Sequence, residues 1–188
     1  LEAHRFETLI AARRCDREPG HPTDVAALHA YLEGSAATPM ALAVQVLGDA
    51  QAPPAARDAG LTAAQGIGFA SGAANLLRAL PVLAARGVLP LPDMGRSDRA
   101  ALQEGRTTTA LAAAIAALGA EAQARHRAGL TAARTAPRAV YPALRAGWRA
   151  GWLLRRACRG GDMPGNLGSE SEFRRRAGLA MRALTGRV

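Results

Sequence analysis

Residues 65–92, QGIGFASGAANLLRALPVLAARGVLPLP, decide how this chain folds. The stretch holds no carboxylate, and none occurs anywhere between Asp58 and Asp93. Its apolar residues lack the strict alternation of a half-buried strand, which leaves a helix. Small residues crowd its first half, from Gly66 and Gly68 through Ala70 and Gly72 to Ala74. Each helical glycine costs about 1 kcal/mol against alanine. Compensation comes either from close helix–helix approach or from a cavity for a bulky ligand. Pro81 removes one backbone donor and crowds the preceding turn, so it should kink or end the helix.

Working outward, the whole chain reads as helix. A first helix is expected over residues 2–17, ahead of Pro19-Gly20. Thr23 is expected to cap a second, with Asp24 in its first turn and a stop near Gly48. A linker over residues 49–54, with two prolines, leads to the third helix, expected from about Leu61 to Gly87. Pro90 and Pro92 make residues 88–96 a loop. Ser97 offers a cap for a short helix that Gly105 closes. A fifth helix spans about 107–134, with Leu111, Ile115 and Leu118 at core spacing. Pro137 opens a sixth to about Arg159. Residues 160–168 read as a loop, and Ser169 or Ser171 starts a last helix with Glu170 and Glu172 in its first turn.

Composition bounds the function classes. The length of 188 residues suits one domain, taken as residues 1–188. All 24 basic side chains are arginine, and the net charge is +9. Base composition that favours Ala, Arg, Gly and Pro together would explain this, as would contact with an anionic membrane or with nucleic acid. No nucleic-acid reading motif or basic aromatic platform accompanies the charge, so nucleic acid is not an expected partner. Cys15 and Cys158 form no Cys/His cluster, which argues against structural zinc and a disulfide framework. The expected compartment is therefore reducing, by default the cytoplasm. No uninterrupted apolar run approaches the ~20 residues of a membrane span. The chain opens on Leu1 in mid-helix style, so an N-terminal portion is expected to be missing.

The frame Asn75, Leu77, Arg78, Pro81, Arg86, Gly87, Leu91, Pro92 resembles a signature of the squalene/phytoene synthases. That signature runs approximately Q-L-T-N-I-L-R-D-V-x-x-D-x-x-x-G-R-x-Y-L-P. Upstream, Asp16, Leu28, Tyr31, Ala36 and Ala37 resemble the family's x-x-D helix and its x-x-L-x-x-Y and small-residue segments. The P-x-x-R-A-V-Y-P-A-L segment and the closing SESEFRRRAGLAM are similar to the family's end. The resemblance implies an all-α, single-domain helical bundle of the isoprenoid synthase type. It also implies a Mg²⁺ site, held by two aspartates that grip a prenyl diphosphate. Ala79 and Leu83 stand where those aspartates belong, and Gly72 and Ala74 replace the glutamine and threonine. Magnesium takes hard oxygen ligands, and neither side chain supplies one. No resident metal or cofactor is expected unless the chain is an active prenyltransferase.

Leu77-Arg78-Ala79-Leu80-Pro81 resembles the L-R-A-x-P of the family's non-catalytic branch, the assembly factor of respiratory complex I. That resemblance implies a protein that binds complex I subunits or another partner, with an isoprenoid or membrane lipid as possible ligand. It would sit in the cytoplasm or peripherally on the inner membrane, on the matrix side in a eukaryote. The alternatives are an active head-to-head prenyltransferase and a basic nucleic-acid-binding helical protein.

The candidate ligand-binding residues are Asn75, Arg78, Tyr31 and Asp16. Asn75 and Arg78, three apart, share a helix face and could hold an anion or an isoprenoid headgroup. Alternatively, Arg78 pairs with a carboxylate of a neighbouring helix, Asp16 or Glu33. Asp16 and Glu18 would bind a cation only with further ligands. His4, His21, His29 and His126 show no ligand spacing, and Ser71 lacks a nucleophile motif. On the sixth helix, Arg138, Arg145, Arg149 and Arg156 form one stripe beside Tyr141, Leu144, Trp148 and Trp152. That pattern suits a membrane-surface helix, or an ordinary helix that buries its tryptophans and solvates its arginines.

Overall fold

A computed structural model describes residues 2–17, 22–159 and 171–188, and among these every regular element is helical. The helices are α1 (Ala3–Cys15), α2 (Val25–Leu32), α3 (Thr38–Leu47), α4 (Pro54–Ala85), α5 (Arg96–Gln103), α6 (Thr109–Ala133), α7 (Tyr141–Arg145), α8 (Ala150–Cys158) and α9 (Glu172–Leu184). The all-α expectation holds. Glu18 and His21, and with them Ser169, Glu170 and the expected loop over 160–168, lie outside the described residues.

The long α4 is the axis of the bundle. It starts seven residues earlier than its apolar pattern suggested, because Pro54 takes the first turn, where a missing backbone donor costs nothing. It also continues through Pro81 to Ala85 instead of stopping there. Gly87, at φ 82°, then ends it: its N–H reaches the Ala84 carbonyl, and the Val88 N–H reaches back to Leu83 at 2.9 Å. Only glycine adopts that left-handed geometry without strain. By length and average apolar content α4 could cross a membrane, although polar residues interrupt its apolar stretches. Half of its most apolar window is nevertheless buried in the protein.

α4 divides the interior into two cores. Phe69, Leu77 and Leu80 pack with Leu28 and Leu32 of α2, Leu111 and Leu118 of α6, and Leu154 of α8. Ile67, Ala63 and Ala64 pack with Met40 and Val44 of α3 and with Val140 and Leu144. Leu111, Ile115 and Leu118 are all buried, as their spacing predicts. Few large side chains fill these cores, so the backbones come unusually close. A Cβ on Gly66 would lie 2.4 Å from the Arg125 carbonyl oxygen of α6. One on Gly68 would lie 2.6 Å from the Ala37 Cα, and one on Gly72 2.7 Å from the Ala36 Cβ. Close approach, then, compensates for the glycines.

The expected second helix is interrupted. Asp24, not Thr23, caps α2, its carboxylate accepting from the Ala27 N–H at 2.7 Å. Between α2 and α3 the chain widens into one π-helical turn, Glu33–Ala37, where the Thr38 N–H bonds to the Glu33 carbonyl. Pro39 gives the reason. Its ring cannot sit against the Ser35 carbonyl, and it has no N–H to offer that oxygen. The Arg13 guanidinium of α1 donates to the Ser35 carbonyl instead, at 3.4 Å. The wide turn brings Ala36 and Ala37 against the glycines of α4.

The expected sixth helix also breaks. A 3-10 turn over Arg138–Val140 leads into α7, and i to i−3 bonds from Ala146, Gly147 and Trp148 separate α7 from α8. Gly147 sits there because α4 leaves no space: a Cβ would lie 2.4 Å from the Ile67 side chain. Tighter turns shift the angular register between Arg138 and Arg145 and the helix that follows, while Arg149 and Arg156 still meet at the Trp152 ring. For α5, Gly95 rather than Ser97 takes the cap position, and the buried Asp98 carboxylate accepts from the Gly95 N–H at 2.8 Å. The Thr108 hydroxyl donates to the same carboxylate. Ser171 caps α9, as one of the two expected starts.

Candidate functional site

The four candidate residues form two separate pairs. On one side, the Tyr31 hydroxyl donates to Asp16 Oδ1 at 2.7 Å, and Arg13 Nη1 donates to Asp16 Oδ2 at 3.2 Å. Burial, and next the bond to Asp16, hold the Tyr31 phenol above its ordinary pKa, so it stays protonated and donates. On the other side, Arg78 reaches Asn75 Oδ1 at 3.5 Å across one turn of α4, and both side chains are exposed. Among the described residues, no hydrogen bond or ion pair joins the two pairs.

The suggested pairing of Arg78 with Asp16 or Glu33 is therefore wrong. Asp16 is taken by Tyr31 and Arg13. Glu33 is taken by Arg125 of α6, with Nη1 to Oε1 at 2.6 Å. Arg125 also holds Glu121 at 2.7 Å, and its guanidinium lies 4.0 Å from the centre of the Phe69 ring. Burial pulls the Arg125 pKa down, but the bonds to Glu33 and Glu121 outweigh burial and raise it. Sequence reasoning missed this cluster. The four-residue spacing of Glu121 and Arg125 was visible, but nothing local marks Glu33 as the third member.

Three further residues of the signature frame are structural. Leu77 and Leu91 are buried in the core around Phe69, and Gly87 stops the helix. Ala79 and Leu83 are half-buried, and Ala79 lies seven residues beyond Gly72, on nearly the same face of α4. Leu32 and Ala36 close over that face at Gly72. A cavity of about 480 Å³ opens farther towards the start of α4, lined by Gln65, Glu33, Thr38, Arg125 and His4 among others. None of Asn75, Arg78, Ala79, Leu83, Tyr31 or Asp16 lines it.

A magnesium ion does not fit the α4 face. Ala79 and Leu83 carry no oxygen donor, Asn75 offers one amide oxygen, and Arg78 brings positive charge next to it. Among the described residues, no three His, Cys, Asp or Glu side chains gather as a metal site. Cys15 and Cys158 are both free and half-buried.

Trp148 and Trp152 are half-buried with guanidiniums over their faces: Arg182 at 5.4 Å from Trp148, and Arg156 at 4.9 Å from Trp152. Leu144 is fully buried. Trp148 thus packs against α9, Trp152 against the core around Phe69 and Leu144 within the core around Ile67, and the two tryptophans form no exposed aromatic belt.

His126 of α6 lies against Gly151 of α8. Burial lowers its pKa, and the charges of Arg155, Arg182 and Arg127, on α8, α9 and its own helix, lower it further. The folded protein thus holds His126 neutral where the unfolded chain binds a proton. Stability from this site is present above the unfolded value of about 6.5 and is lost as pH falls below it towards the folded pKa. The melting temperature should drop between about pH 7.5 and 5.5, with a shallower slope in His126→Gln. An identical slope in the two proteins counts against this assignment.

The squalene/phytoene synthase family model matches residues 1–176, and the chain belongs to that family. No curated protein matches it.

Proposed function

We propose that this member of the squalene/phytoene synthase family is non-catalytic and acts as an assembly or partner-binding factor for respiratory complex I. The observation that carries the first half of this reading is the α4 face. Both signature carboxylates are replaced by hydrocarbon, and Gly72 is in contact with Ala36 and Leu32. Ionising an allylic diphosphate develops several negative charges on the leaving group, which a divalent clamp must offset. Here that face offers packing surface instead.

The second half rests on Leu77-Arg78-Ala79-Leu80-Pro81 and its likeness to the non-catalytic branch. In this reading the partners are complex I subunits, with an isoprenoid or a membrane lipid as ligand. The protein works in the cytoplasm or at the inner membrane surface. Exposed Asn75 and Arg78, held side by side, offer a contact for a partner carbonyl or carboxylate. Deleting the gene should lower assembled complex I severalfold, with other respiratory complexes retained. Normal complex I abundance in the deletion strain removes this role. An active prenyltransferase would need a charge clamp from elsewhere than α4.

A further inference from the structure

We infer that α9 is an interfacial helix that docks this protein on an anionic lipid surface, independently of the function proposed above. At about 100° per residue, Phe173, Ala177, Ala180, Met181 and Leu184 fall within one arc of about 100°. Phe173 is 81% exposed, Met181 61% and Leu184 84%, and α9 has no buried residue. The opposite side of the helix holds it to the body. Gly178 lies against the Trp148 ring, where a Cβ would come within 2.8 Å, and the Arg182 guanidinium lies over the same ring. The apolar arc therefore faces outward, away from the helical bundle.

Charge selects the occupant. Arg174 and Arg176 sit just beyond the two edges of the arc, so cationic groups border the apolar strip on both sides. Four arginines stand on α9 against one glutamate, Glu172, which holds Arg175 and Arg176 at 2.7 and 2.9 Å. An apolar face with arginine on both flanks, lying on a folded body, is the pattern of a helix in the plane of a bilayer. Its apolar side chains enter the acyl boundary while the guanidiniums meet lipid phosphates. A second copy of this chain fits poorly, since it would bring another +9 against the same arginines.

The test uses the whole protein and sedimenting vesicles. One set is phosphatidylcholine alone, and the other contains about a quarter phosphatidylglycerol. The variants are Phe173→Ser/Met181→Ser/Leu184→Ser and Arg174→Glu/Arg176→Glu. All five positions are outside the core, and thermal melts confirm that each variant folds. We expect binding to the anionic vesicles, little binding to phosphatidylcholine, and at least about a tenfold loss of affinity in each variant. Equal binding to both vesicle types, or binding unchanged by the triple serine variant, overturns the inference. So does a wild-type dimer that the serine variant abolishes, because α9 would then be a protein interface.

Discussion

Replacing Gly66 by alanine should destabilise this protein by about 2–3 kcal/mol, although alanine is the better helix former by about 1 kcal/mol. The new Cβ would meet the Arg125 carbonyl oxygen at 2.4 Å and the Gly129 backbone at 3.0 Å. A flexible side chain could swing away from such a contact. The backbone of α6, packed along most of α4, can yield only by moving the helix. Gly68→Ala should behave alike, because its Cβ would face the Ala37 Cα at 2.6 Å. For a chain of this size the melting temperature should fall by about 4–12 °C in each case. A rise in melting temperature on either substitution would show that helix propensity outweighs the crossing, and that α4 is not held by backbone contact.

Writing the family signature back into α4, as Gly72→Gln/Ala79→Asp/Leu83→Asp, should destabilise the protein by about 3 kcal/mol or more. A glutamine at position 72 must displace Ala36 and Leu32, which lie 2.7 and 3.3 Å from where its Cβ would stand. Aspartates at 79 and 83 would place two like charges one turn apart on a half-buried face that now carries hydrocarbon. Ten millimolar-range magnesium should not restore the melting temperature, since only the two carboxylates would be gained and the rest of the ligand set would still be lacking. Full recovery with magnesium would mean that the clamp's remaining ligands are already in place.

The helices were legible in the sequence because their signals are local. Leu111, Ile115 and Leu118 lie on one face of α6 by spacing alone, and Gly87 and Gly105 end their helices through a backbone geometry that glycine favours. The breaks were not legible, because distant packing causes them. Gly147 interrupts the sixth helix where Ile67 of α4 presses on it. Pro39 is a local signal, but its consequence needs Arg13, more than twenty residues away, to supply the missing donor. At the candidate site, sequence located Asp16 and Tyr31 as members of the family pattern, and the structure joins them. It misassigned Glu33, since carboxylate partners across a bundle depend on how the helices pack and not on their spacing along the chain.

In the function proposed above, α4 presents a packing face where the family signature places a metal-binding one. Incubating the protein with magnesium and farnesyl or geranylgeranyl diphosphate tests this most directly. In the reading proposed here, diphosphate release should not exceed that of a boiled control, because Ala79 and Leu83 offer magnesium no oxygen ligand. Magnesium-dependent release above that control, abolished by a chelator, would contradict the account.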